Sequence, residues 1–271
     1  MPDTFSERAR ARGAAPNDGV VSSGGVLRRD ARLWDVSLRA ALVIALTPVV
    51  VAMAMFLVAD DPRTFFWLSD EDHPIEWLQF ALLVGAIAGF AVTALRLRRL
   101  GYTAAAVVTG GLTLGLFLIA GEEISWGQRI LGFGTPSSLQ NAQDEATLHN
   151  IRGLHQYFVH GVAIIGLYGA VAPLVWYAVR SRRARTPLNR LLVPPLFLSF
   201  AFAIPFLYRG VRFTFAPEVR YPNHIGQIVE YSETTELCLY FGVLVFAVLY
   251  LRAINRTSPR NQRRSRPHRP R

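Results

Sequence analysis

Lysine is absent from this 271-residue chain: all 29 basic residues are Arg. Schiff-base and lysine general-base chemistry are thereby excluded, and the bias toward Arg codons points to a GC-rich bacterial genome. Cysteine occurs once, at Cys238, so no intramolecular disulfide can form. Charge is missing over long stretches. The windows 40–59, 77–95, 100–121, 153–179 and 191–208 contain no Asp, Glu, Lys or Arg over 20, 19, 22, 27 and 18 residues, and 237–251 contains none over 15. A helix needs roughly 20 apolar residues to cross the hydrocarbon core. The sequence therefore predicts an all-α polytopic transmembrane bundle of about six helices.

Several catalytic patterns are also lacking. There is no His-Glu-x-x-His, no cysteine ligand set and no Glu-x-x-His of the di-iron bundles. No phosphate-binding loop, dinucleotide fingerprint or serine nucleophile elbow is present. Any chemistry has to come from Glu, His and Arg.

The formal net charge of +10 is divided by side rather than spread. Six crossings place 23 of the 29 Arg on the side that holds both termini, and 14 of the 19 acids on the other, giving +18 against −8. By the positive-inside rule both termini are cytoplasmic, and the expected location is the bacterial cytoplasmic (inner) membrane. The charge is explained without nucleic acid, and no specific nucleic-acid partner is predicted. The expected partners are the lipid bilayer itself and anionic lipid headgroups at the Arg-rich cytoplasmic face. Three segments follow: a disordered cytoplasmic segment 1–35, a six-helix transmembrane domain 36–252 with an outer helical loop 135–152, and a disordered basic cytoplasmic tail 253–271.

The opposite side carries four polar clusters. Residues 70–79, DEDHPIEWLQ, begin the second helix, with Pro74 suited to its first position and Glu76 complementing its N-terminus. Glu76 and Gln79 lie three apart on one face. Residues 121–129, GEEISWGQR, close the third helix, so Glu122 and Glu123 sit at its negative end and require compensation. Arg129, a metal or a His from another helix is expected to supply it. Trp126 reads most simply as an interfacial belt residue.

The third cluster spans 137–160, where Ser137 and Gln140 resemble a capping box. Asn141, Glu145, His149, Arg152, Gln156 and His160 fall within about 100° of arc on a helix. Glu145 and His149, four apart, could bind one ion or hold the imidazole in one tautomer. The fourth cluster, IVEYSETTEL at 228–237, opens the last helix. Its charge-free window is too short to span alone, so the helix must take up Glu236 and Glu233, with Glu230 next in line, and at least some of these acids enter the membrane boundary. Ionisable groups at membrane depth point to function. Gly110, Gly111 and Gly115 on the third helix read as small-residue helix packing.

The run Gly121–Arg129, followed by Asn141, Gln143, Glu145 and Leu148-His149-Asn150, resembles a signature of uncharacterised bacterial multi-pass membrane proteins. It covers about 30 residues and implies no function. The Glu122-Glu123 pair followed by Arg129 is also distantly similar to the Glu-Glu-x-x-x-Arg motif of the CPBP (CAAX-type) intramembrane proteases. Here the Arg lies two positions too late, and the family's later His motifs are not in their proper form. That likeness implies, by analogy, a Glu/His site within the membrane.

Two functions are expected from these residues. In the enzyme reading, the protein is a metal-dependent hydrolase or transferase acting on a lipid or membrane-embedded substrate. Glu122, Glu123, Arg129, Glu145 and His149 would be catalytic. A divalent metal ion would be held by Glu122, Glu145, His149, Glu230 and Glu233, and Glu76, Gln79, Arg152, His160 and Arg209 would contact substrate, Arg209 steadying an oxyanion or lipid phosphate. In the alternative reading, the same cavity belongs to a proton- or cation-coupled transporter or binding protein, or to a non-catalytic assembly factor.

Overall fold

A computed structural model describes residues 23–70, 73–132, 155–180, 186–215 and 224–257. Among them there is no strand, and six helices are long and apolar enough to cross a membrane. The chain is a multi-pass membrane protein with an all-α fold. The expected outer helical loop 135–152 lies outside the described residues.

The helices are α1 (Ser23–Leu33), α2 (Leu38–Val58), α3 (Pro62–Ser69), α4 (Pro74–Arg99), α5 (Thr103–Glu123), α6 (Gln128–Leu131), α7 (His155–Arg180), α8 (Pro187–Leu192), α9 (Ser199–Phe215) and α10 (Ile225–Thr257). Short 3-10 turns at Ser125–Gly127 and Leu196–Leu198 lead into α6 and α9. Starts follow local chemistry. Ser37 accepts from Ala40 N at 3.1 Å before α2, Thr186 accepts from Asn189 N at 3.1 Å before α8, and Pro occupies the first turn of α3, α4 and α8. Before α3, Asp61 takes the Thr64 hydroxyl at 2.5 Å and Arg63 N at 3.3 Å. The Thr64 bond holds its carboxyl below the usual carboxylate range.

α10 is the central element. It packs on α4 and α9, and against α2 and α3. α5 lies outside α4, and α7 outside α9. Lipid tails are as apolar as leucine, so close approach rather than hydrophobic transfer holds such a bundle together. Glycines supply that approach. A Cβ on Gly85 or Gly89 of α4 would come within 2.9 Å of Leu244 or 3.1 Å of Ala247 on α10, and one on Gly169 of α7 would lie 2.3 Å from the Phe202 ring of α9. Among the described residues, the packing expected of Gly110, Gly111 and Gly115 is not made: a Cβ at any of the three meets nothing within 4 Å. Their spacing is right for a helix contact, but α5 turns that side away from its described neighbours.

At the Arg-rich end the core is aromatic. Trp34, Phe90 and Tyr250 surround Phe246 at centroid distances of 6.0, 5.8 and 6.1 Å, and Tyr250 donates to Pro187 O at 3.0 Å. Helical structure begins earlier than residue 36. Within α1, Ala31 and Asp30 are buried, Leu27 packs on the core, and Trp34 is buried just beyond its end. Asp30 accepts from the Tyr177 hydroxyl at 2.5 Å and from Leu196 N at 2.6 Å. Spacings of three and four between Leu27, Asp30, Ala31 and Trp34 make one face, and the arginines 28, 29 and 32 take the exposed side. The last helix likewise continues past 252, to Thr257.

Candidate functional site

The opposite, Arg-poor end gathers acids from three helices. On α4, Ile75, Gln79, Leu83, Ala86 and Phe90 form the buried stripe, so a carboxamide occupies a position that the helix otherwise fills with apolar side chains. Gln79 is fully buried, and its Nε2 donates to Glu233 O at 2.8 Å and to Glu233 Oε2 at 3.3 Å. Both neighbours accept, which fixes the orientation of the amide. Its Oε1 is then left buried with no hydrogen-bond partner among the described residues.

On α10, Glu233, Glu236 and Tyr240 recur at three and four residues and share a face. Arg209 of α9, buried, donates from Nη2 to Glu236 Oε1 at 2.6 Å, forming an ion pair. The Tyr240 hydroxyl donates to Glu123 Oε1 at 2.8 Å and reaches Glu236 Oε2 at 3.4 Å. A continuous polar path therefore runs from Arg209 through Glu236 and Tyr240 to Glu123. Glu123 also interacts electrostatically with Glu76 and Glu122, and Glu233 with Glu236, Glu123 and Glu230. Six carboxyl groups thus lie in one field at one end of the bundle.

After Glu123 the backbone reverses abruptly. Ser125, Trp126 and Gly127 have φ of 47°, 55° and 78°, three successive residues in the left-handed region. Two of them are not glycine, and such positions cost of order 1–3 kcal/mol each. The turn lays the Trp126 ring over Gly121, where a Cβ would stand 2.8 Å from the indole, and edge-on to Phe117 at 6.2 Å. The indole Nε1 donates to Glu122 Oε1 at 2.7 Å. Trp126 is therefore a ligand of the buried Glu122 carboxylate as well as a residue of the membrane boundary. The two acids at the negative end of α5 are met by Trp126 and Tyr240, both neutral donors. The Arg129 side chain lies outside the described residues.

The structure brings Glu76, Gln79, Glu122, Glu123, Arg209, Glu230 and Glu233 to one end of the bundle. His160, exposed near the start of α7, is stacked on Phe213 of α9 at 5.4 Å. Glu145, His149 and Arg152 lie outside the described residues. Among the described residues, no group of three His, Cys, Asp or Glu could hold a metal ion, and Glu122, Glu230 and Glu233 do not form one.

No family model matches this chain, and comparison with curated proteins and with solved structures finds no match.

Sequence reasoning missed Tyr240 because it falls inside a charge-free window and reads as an apolar-compatible residue. It missed Tyr208 for the same reason. The Tyr208 hydroxyl donates to Ile228 O and meets Val229 O at 3.3 Å, tying α9 to the start of α10, while the Arg209 and Arg212 guanidinium groups lie 5.8 and 5.9 Å from its ring centre. Tyr231 similarly donates to Ala52 O at 2.6 Å, and the Cys238 thiol to Pro48 O at 3.4 Å, tying α10 to α2.

Proposed function

We propose that the Arg-poor end of the bundle is a cation-accepting site, and that the protein is a proton- or cation-coupled membrane transporter or a cation-binding membrane protein. One observation carries the reading: Glu123 and Glu236 lie on one hydrogen-bonded path whose one cation among the described residues is Arg209, and Glu233 stands in the same electrostatic field. Gln79 and Tyr240 complete it with neutral donors. Carboxylates that a structure concentrates in a low-dielectric region attract a counter-charge, and at membrane depth such groups mark ion and proton pathways. The division of Arg between the two faces supports placing this end on the extracytoplasmic side.

A hydrolase or transferase acting on a membrane-embedded substrate is favoured by a different feature. The left-handed turn at Ser125–Gly127 directly follows the Glu122–Glu123 pair, and backbone strain concentrates at active sites. In that reading Glu123 is the general base, held by Tyr240, and Arg209 faces the developing anion.

The test is a cation panel on the detergent-purified full chain. Sodium, potassium, magnesium, calcium and zinc chlorides are compared by thermal stability, and proton uptake after a pH jump by indicator dye. At least one of these responses is expected in the wild type and is lost in the Glu123→Gln/Glu233→Gln variant. Identical behaviour of the two proteins under every condition would refute the reading.

A further inference from the structure

Within the cluster the partners are unequally distributed. Glu236 has Arg209 at 2.6 Å, and Glu123 has the Tyr240 hydroxyl at 2.8 Å. Among the described residues, the one hydrogen bond to the Glu233 carboxylate is the long 3.3 Å contact from Gln79 Nε2. Beside it, the fully buried Gln79 carries an acceptor oxygen with no donor among the described residues. Leaving a buried acceptor unmet costs about 1–3 kcal/mol, and buried side-chain acceptors are overwhelmingly satisfied in native proteins. One under-partnered carboxylate and one orphaned amide oxygen, on facing helices, are a hard-oxygen pair.

We infer that Glu233 of α10 and Gln79 Oε1 of α4 bind a dehydrated alkali cation of the sodium class; this rests on the cation-accepting reading above and names its ligand. Oxygen donors of carboxylate and carbonyl type select hard cations over those that prefer nitrogen or sulfur. One carboxylate matches one positive charge, and the site needs no third acid, consistent with the lack of a three-acid metal group among the described residues. α4 and α10 are in close contact below this level, with Gly85 against Leu244 and Gly89 against Ala247, so the two oxygens sit where closely packed helices meet. The ion would bridge two helices that are joined here, among the described residues, by the Gln79 amide contacts to Glu233 O and Oε2.

The experiment measures the melting temperature of the detergent-purified full chain in sodium chloride, with choline chloride holding ionic strength constant, together with equilibrium retention of sodium-22. A saturable rise of a few degrees with sodium is expected in the wild type, with lithium acting similarly and methylammonium inactive. Gln79→Met and Glu233→Gln should each abolish the rise and the retained sodium, whereas Gly115→Ala, on an open face, should keep both. If either site variant does not fold, the wild-type retention assay and ion series still decide. No sodium response overturns the inference and leaves a buried water as the partner of Gln79. A response to magnesium, calcium or methylammonium but not to sodium also overturns it while sparing the cation-accepting site, and silence toward every cation and toward protons removes both.

Discussion

Replacing Arg209 by Met tests the centre of the site. The side chains of Arg209 and Glu236 are 7% and 17% exposed, and their contact is 2.6 Å. Methionine fills much of the same volume but removes the guanidinium, leaving the Glu236 carboxylate with the 3.4 Å Tyr240 hydroxyl as its remaining hydrogen bond among the described residues. Breaking a buried pair from one side costs about 3–5 kcal/mol, because the other charge stays buried and uncompensated. The lower end applies here, since Arg209 Nε is itself buried without an acceptor among the described residues and its own desolvation is relieved by the change. For a chain of this length each kcal/mol corresponds to roughly 2–4 °C, so the single variant should melt about 10 °C below the wild type in detergent. Glu236→Gln should be similarly unstable, now from a stranded guanidinium. The Arg209→Met/Glu236→Gln double variant should recover most of the loss, because replacing both members of a buried pair is often neutral. A double variant as unstable as the sum of the two singles would show that Arg209 and Glu236 are not energetically coupled.

Two further predictions concern the frame that holds the site. Gly169→Ala should lower stability by about 1–3 kcal/mol, the usual range for overpacking, because the new methyl would meet the Phe202 ring at 2.3 Å, whereas Gly115→Ala should be neutral or stabilise by roughly 0.5–1 kcal/mol through helix propensity; equal effects in a thermal melt would refute the helix contacts described. In a Cys238→Ala background, Asp60→Cys should react with an impermeant maleimide on intact cells and Arg98→Cys should not, and the reverse pattern would overturn the assigned orientation.

The spans were legible because crossing a membrane imposes a length and a lack of charge that few other structures need. Even so, the fifth hides its true form. Pro194 and Pro195 separate α8 from α9, and α9 carries Arg209 and Arg212 within its last two turns, so the crossing helix extends past the end of its charge-free window. The acids of the site were legible for the complementary reason that carboxylates beside apolar windows are conspicuous. Their partners were not. Whether Tyr240 faces lipid or Glu123, and whether Trp126 lies in the headgroup layer or folds back on Gly121, depends on how α5 stands against α4 and α10, which no local pattern encodes. The face of α1 was missed because four inward residues in a short, Arg-rich helix give too few repeats to stand out from a polar tail.

The length of α10 sets the depth of everything attached to it. Its 33 residues extend about 50 Å at 1.5 Å per residue, against a hydrocarbon layer of roughly 30 Å. With the exposed Arg252 at one boundary, an upright helix reaches the other about 20 residues earlier, near Ser232. Glu230 then stands in the headgroup layer, Glu233 at its floor, Glu236 about 6 Å and Tyr240 about 12 Å below it. The four side chains make a staircase of falling dielectric, on which an entering charge would exchange its water for protein oxygens one step at a time rather than at a single barrier.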